Sequence, residues 1–403
     1  MGRRPAGHNR PMEHRSKQWL AAGLMALLFF WYLSPGMGTL RALPEAVAAG
    51  EAPGAGALIR SRARPVRSAG DSRLTGEETT YALFGLLPLR TVKEAPALPA
   101  VFRGGAAAGI VLYTKGVQVV GFTTVDTEEG ARSPASAAGL KKGDAILAVD
   151  GRTITGALSL SQLIQGREEA ALTVRRGEEQ LTLTLRPARE QSTKEDKLGA
   201  YVRESTSGIG TLSFARGERY CALGHAVTDV DTGATLLPGR GFVTLARITA
   251  ARRAEAGRVG ELEGTFSTAE GEALGAVDTN GDYGVAGRLT GSEAAWGPEL
   301  PVAAAAQAQT GDATLYCAAD GSVKGYTCRV IRLKVQSAPG VQGMMIEVTD
   351  KDLLALTGGI VPGMSGSPVV QNGRLIGVVT HVFVNEPKRG YCVYAQWMLE
   401  RLL

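Results

Sequence analysis

Fifty-three glycines punctuate this 403-residue chain, and over residues 195–403 they separate short β-type runs such as Gly210-Thr211-Leu212-Ser213-Phe214 and Arg374 to Thr380. No long amphipathic helix interrupts the series until Trp397-Met398-Leu399, so this part reads as an all-β barrel or sandwich. The length accommodates two or three domains, each with its own core. Hydrophobic content of 44% and charge of 21% are those of an ordinary globular protein. The net charge of +5 is concentrated at the N-terminus, where residues 1–17 hold five basic residues against Glu13. The remainder is nearly neutral, which argues against a nucleic-acid-binding surface.

Behind that basic segment, Trp19 to Leu33 is uncharged and apolar. It falls short of the ~20 residues that span a bilayer comfortably and resembles the hydrophobic region of an export signal. No small-residue cleavage site follows directly, and Ala46-Val47-Ala48 lies well downstream. The expectation is an uncleaved or late-cleaved membrane anchor over residues 18–34, with residues 1–17 cytoplasmic. Residues 35–75 are rich in Ala, Gly, Pro and Arg without apolar periodicity. They read as a stalk inside a 35–104 connecting region, with order resuming as a strand near Leu83-Phe84-Gly85-Leu86-Leu87-Pro88. Cys221, Cys317, Cys328 and Cys392 have no zinc spacing, so neither metal nor cofactor is expected. A Cys317–Cys328 disulfide across a hairpin would suit an oxidising compartment.

Residues 105–190 carry a β-rich pattern with helical insertions. Pro134 to Leu140 reads as a short helix ending at Gly139, followed by the Lys141-Lys142-Gly143-Asp144 turn and a buried strand, Ala145 to Val149. Asp150-Gly151 is a hairpin turn, because both residue types tolerate positive φ. Leu160, Leu163 and Ile164 form one helical face, and Leu172 and Val174 face Leu181, Leu183 and Leu185 across a second hairpin. The block resembles a PDZ domain, a module that binds an extended peptide by adding it as a strand. That resemblance makes Gly116, Val117, Val119, Val120 and Gly121 the expected peptide-binding segment.

Gly363-Met364-Ser365-Gly366-Ser367-Pro368 places a serine between glycines, as acyl-transfer enzymes present a nucleophile. The backbone N–H groups of Gly363 and Ser365 are the candidate oxyanion donors. Met364 stands where chymotrypsin-like loops carry an acidic residue. A serine hydroxyl needs a general base, and outside the leader only His225 and His381 can serve. His225 precedes the polar turn Thr228-Asp229-Val230-Asp231 and comes before the serine in the chain, as in chymotrypsin-like enzymes. His381 lies inside an apolar strand whose pattern already accounts for it. For the carboxylate that would orient the base, Asp229, Asp231, Asp278, Asp282, Asp350 and Asp352 are all candidates.

Leu223-Gly224-His225-Ala226-Val227-Thr228-Asp229, the serine loop, and Thr380-His381-Val382-Phe383-Val384-Asn385 together resemble the SpoIVB (stage IV sporulation protein B) family of PDZ-containing serine peptidases. The likeness runs from about Leu83 to Glu400; Cys392 departs from it, standing where a small residue is expected. It implies a mainly β architecture: a PDZ-like domain followed by a chymotrypsin-like β-barrel peptidase domain over 195–403, behind an N-terminal membrane segment. It also implies His225 as base, Ser365 as nucleophile and Asp350 as third member. Family members act between the two forespore membranes, cleaving the regulator of an intramembrane protease that releases the late mother-cell sigma factor. Two other readings are open: a non-catalytic membrane-anchored PDZ scaffold, and a PDZ-bearing quality-control protease.

Overall fold

The computed structural model describes residues 23–26, 29, 46–47, 59–65, 77–84, 86–95, 97–236, 238–290, 295–336 and 338–402. The basic segment 1–17 and most of the expected anchor 18–34 lie outside these residues. Among the described residues no helix is long and apolar enough to cross a membrane. The chain divides into two compact units, Met1–Ala97 and Leu98–Leu403.

The first unit holds a four-stranded sheet. Ile59–Pro65 pairs antiparallel with Glu77–Leu83, which pairs antiparallel with Leu87–Glu94, and Ala46–Val47 adds in parallel to the last strand. Two strands, Ala46–Val47 and Ile59–Pro65, therefore fall within the region read as a stalk. A strand does start in the segment Leu83–Pro88, at Leu87, but one strand has already run from Glu77 to Leu83, and Phe84 at φ 54° reverses the chain between the two. Phe84, Leu86 and Leu87 are exposed at the tip of this hairpin.

In the second unit, six strands close on themselves. Ala107–Phe122 pairs with Pro238–Arg252, followed in order by Gly275–Gly281, Gly284–Leu289, Arg219–Ala222 and Ala200–Arg216, which returns to Ala107–Phe122. Ile110, Leu112, Leu212, Tyr220, Val243 and Val285 fill this first barrel. A second closed barrel comprises Gly311–Cys317, Lys324–Leu333, Met344–Val348, Glu386–Tyr394, Arg374–Phe383 and Pro368–Gln371. Leu315, Val330, Ile346, Val369, Val378 and Val393 are buried within its core cluster. Their alternation with exposed residues, as in the buried–exposed pattern of Lys324–Leu333, is the period of two that strands impose. Helix Ala395–Leu399 follows the last strand and buries Trp397, Met398 and Leu399.

The PDZ-like module is inserted between two strands of the first barrel. Asp150 and Gly151 both have positive φ, 50° and 76°, forming the expected turn. The second hairpin pairs Leu172 with Leu183 and Val174 with Leu181. Helix Ala157–Ile164 buries Leu160 and Ile164 against Ile146, Leu172 and Leu185. Full burial contributes about 1.5–3 kcal/mol for each such side chain. The sequence boundary between residues 190 and 195 is not a boundary in hydrogen bonding. Ala200–Arg216 starts as a strand of the module, beside Phe122, and ends in the barrel, with Thr211 beside Ala107. Leu198 belongs to the module's core, and Ala200 and Val202 pack on it. A fragment of residues 105–190 is therefore expected to lack a cooperative thermal transition that a fragment of residues 105–206 retains, as followed by circular dichroism.

Candidate active site

Ser365 lies in the irregular segment between helix Lys351–Thr357 and strand Pro368–Gln371. Gly363 and Gly366 have φ values of 97° and 101°, in the region that favours glycine. At Gly366 the requirement is also steric, since an added Cβ would sit 2.0 Å from the Thr211 carbonyl oxygen. The Met364 N–H donates to Val361 and the Gly366 N–H to Val379. Among the described residues, the N–H groups of Gly363 and Ser365 have no acceptor. The Ser365 hydroxyl donates to the Thr380 carbonyl at 2.8 Å.

His225 follows strand Arg219–Ala222 through Leu223 and Gly224, whose φ values are 69° and 129°. This turn carries the imidazole towards the second barrel: a Cβ on Gly224 would meet Val379 and Thr380 at 3.0 and 3.2 Å. His225 consequently packs against His381, the residue after Thr380, with ring centroids 5.0 Å apart. His225 Nδ1 lies 2.9 Å from the Ala226 carbonyl. A carbonyl can only accept, so Nδ1 carries the proton and the neutral ring presents Nε2 as a proton acceptor. The sequence pattern accounted for His381 as a strand residue; the fold sets its imidazole beside the proposed base.

No carboxylate among the described residues hydrogen-bonds to either histidine. Asp350 caps helix Lys351–Thr357: its oxygens accept from the N–H groups of Asp352, Leu353 and Thr327. Burial pushes its pKa up, but those amide bonds outweigh it and hold the carboxyl below the usual range. Asp352 occupies the first turn of the same helix. Asp278 pairs with Arg288 at 3.3 Å, and Asp282 sits in the turn between Gly281 and Gly284. Asp229 and Asp231 both receive Arg203. Asp229 is fully buried, and its own loop supplies further bonds from Thr232 and the Asp231 N–H. The network fastens the loop that follows His225 to strand Ala200–Arg216.

The expected peptide-binding segment is corrected. Val117 and Gln118 pair with Ile146 and Ala145 on one side, and Gln118, Val119, Gly121 and Phe122 pair with residues 200–203 on the other. Gly116, Val117, Val119, Val120 and Gly121 therefore lie in an interior strand, and Val117 and Val119 point into the core. The open edge belongs instead to residues 200–203, which pair only with residues 118–122. Between this edge and helix Ala157–Ile164 lies a groove of about 340 Å³, lined among others by Leu160, Ser161, Leu198, Gly199, Ala200 and Val202. The run Leu198-Gly199-Ala200-Tyr201-Val202, apolar positions alternating after a glycine, was the available sequence signal.

All four cysteines are free and buried, so the candidate Cys317–Cys328 pair is not bridged. On the hairpin, Cys317 opposes Lys324 and Cys328 opposes Ala313, so the two thiols are several rungs apart. Burial pushes both up to about 12.

The family model for SpoIVB peptidase S55 matches residues 194–399, just over half of the chain, and a PDZ domain model matches residues 125–176. This is a serine peptidase with a PDZ module. More specifically, the chain belongs to the SpoIVB peptidase S55 family. Among solved structures it is similar to the Rv3671c protease from M. tuberculosis in its active form, with 17% identity, 49% of this chain and 73% of that chain covered, and a TM-score of 0.29. The inactive form of that protease matches at 17% identity, with 48% and 82% covered and a TM-score of 0.26. No curated protein matches the chain.

His381 keeps an exposed edge, yet partial desolvation and, second, the neighbouring His225 hold its imidazole below the ordinary histidine value. The folded state thus binds a proton less readily than the unfolded chain, whose histidine titrates near about 6.5. The associated stability is present above that pH and lost as pH falls through the lower folded value. Melting temperature measured from pH 7.5 to pH 5 is expected to fall more steeply for the native protein than for His381→Asn.

Proposed function

We propose that the protein is a membrane-tethered serine endopeptidase that cleaves a membrane-bound regulator of an intramembrane protease during sporulation signalling. The carrying observation is the convergence of Ser365 and His225, on loops from different barrels, at Thr380–His381. In the proposed reaction the Ser365 hydroxyl turns from the Thr380 carbonyl towards Nε2 of His225 and attacks the substrate carbonyl. His225 takes the serine proton and returns it to the leaving amine as the acyl-enzyme forms. The unoccupied N–H groups of Gly363 and Ser365 are placed to receive the oxyanion. The Ala226 carbonyl holds the base in its productive tautomer, the orienting part a carboxylate plays in other triads. Asp350 as third member rests on family resemblance, and reaching His225 would require it to leave the amides it caps.

The groove beside residues 200–203 takes an extended peptide, either from the substrate or from the protein's own processed segment. The apolar stretch Trp19–Leu33 favours tethering at a membrane, and family membership favours the space between the forespore membranes. Self-cleavage within residues 35–80 completes the reading, motivated by their composition.

Co-expression with a candidate regulator tests this. Specific cleavage, and release of the protein's own N-terminal fragment, are expected from the native chain and absent from folded Ser365→Ala and His225→Ala. Cleavage that persists without Ser365 overturns the assignment. Ser161→Trp, which fills the groove, is expected to weaken binding of extended peptides at least tenfold, read by fluorescence anisotropy.

A further inference from the structure

Thr211 stands on strand Ala200–Arg216 at a point where the two catalytic loops meet the first barrel, and its side chain is 1% exposed. Its backbone N–H donates to the Ser365 carbonyl at 2.9 Å, and its hydroxyl donates to the Gly363 carbonyl at 2.8 Å. Its own carbonyl accepts from the Leu223 N–H at 3.1 Å, two residues before His225. One residue thus holds the nucleophile loop through two bonds and the base loop through a third.

Peptide planarity gives these contacts a consequence at the reacting atoms. Each carbonyl shares a rigid plane with the next N–H, so fixing the carbonyls of Gly363 and Ser365 fixes the peptide planes on both sides of the Met364–Ser365 unit. The Ser365 N–H lies in that unit, and Gly363, at φ 97°, is the residue about which the neighbouring plane could most easily turn. The Thr211 hydroxyl opposes that turn. Valine would fill the same volume in the same β-strand conformation, so packing does not account for the hydroxyl. Its acceptor, Gly363, does.

We propose that Thr211 is a positioning residue for the peptidase reaction, acting through the Gly363 and Ser365 carbonyls to hold the serine loop with its N–H groups aligned. This rests on the reading of Ser365 as nucleophile. Thr211→Val removes only the hydroxyl bond and leaves both backbone bonds. Misplacement of a reacting group by about 1 Å can cost on the order of a hundredfold in rate.

The test uses the full chain and two readouts: the rate at which a fluorophosphonate probe labels the protein, and kcat and KM on a cleaved peptide. The native protein is expected to label and Ser365→Ala to remain unlabelled. Thr211→Val is then expected to lose about tenfold to a hundredfold in labelling rate and kcat with KM nearly unchanged. Thr211→Ser, which restores the hydroxyl, is expected to recover most of the loss. Native-like labelling of Thr211→Val, beside a silent Ser365→Ala, overturns the positioning role alone. Equal loss in Thr211→Val and Thr211→Ser also overturns it, by assigning the effect to packing. Labelling that survives in Ser365→Ala overturns the nucleophile reading and this inference with it. Should Thr211→Val fail to fold, Thr211→Ser and Thr211→Ala supply the same contrast, and equal rates in that pair overturn the proposal.

Discussion

The antiparallel pairing of Ala107–Phe122 with Ala200–Arg216 is the constraint on which the rest of the larger unit depends. It closes the first barrel, and because both strands outrun the barrel, it also builds the inner wall of the PDZ module. Irregularities between Tyr201 and Val202, and between Arg203 and Ser205, mark where the pairing passes from module to barrel. Bulges of this kind bend a strand without ending its ladder. An inserted domain joined by one loop can swing freely; one that shares two paired strands with its host cannot move without breaking backbone hydrogen bonds.

Along Ala200–Arg216 the attachments come in order: the groove edge at residues 200–203, Arg203 on buried Asp229, and Thr211 on the serine loop. Asp229 shows why the middle attachment is firm. Burial raises its pKa, but the Thr232 hydroxyl, Arg203 and two backbone amides together hold it down, so the carboxylate stays charged and engaged. The loop following His225 is therefore referenced to the same strand as the Ser365 loop. Relative placement of Ser365 and His225 follows from one continuous piece of backbone, although the two residues belong to different barrels.

Local chemistry was legible in the sequence wherever it was dictated by neighbours in the chain. Asp150-Gly151, the Leu172/Leu183 hairpin and helix Ala157–Ile164 follow from turn residues and apolar periods, and the glycine-flanked serine declared its own loop. Long-range pairing was not legible. Nothing in Gly116–Gly121 indicates that residues some eighty positions later cover its edge, so an apolar strand read as ligand-facing proved interior. Asp350 met the same limit from the other side: family resemblance alone singled it out among six aspartates, while its position before Lys351 made it a helix cap. His381 was accounted for as a strand residue because its strand pattern sufficed, and only the turn at Leu223–Gly224 brings His225 against it.

The four thiols carry a last consequence. Cys317 and Cys328, in the second barrel's core, are held protonated far above neutral pH, and Cys221 and Cys392 are as deeply enclosed. Only a thiolate attacks a disulfide or an oxidant at useful speed, and these sulfurs present none to solvent. The fold therefore needs no oxidant or isomerase to complete it. None of its stability rests on a cross-link that a reductant could break, and oxidising any of the four thiols requires the core around it to open first.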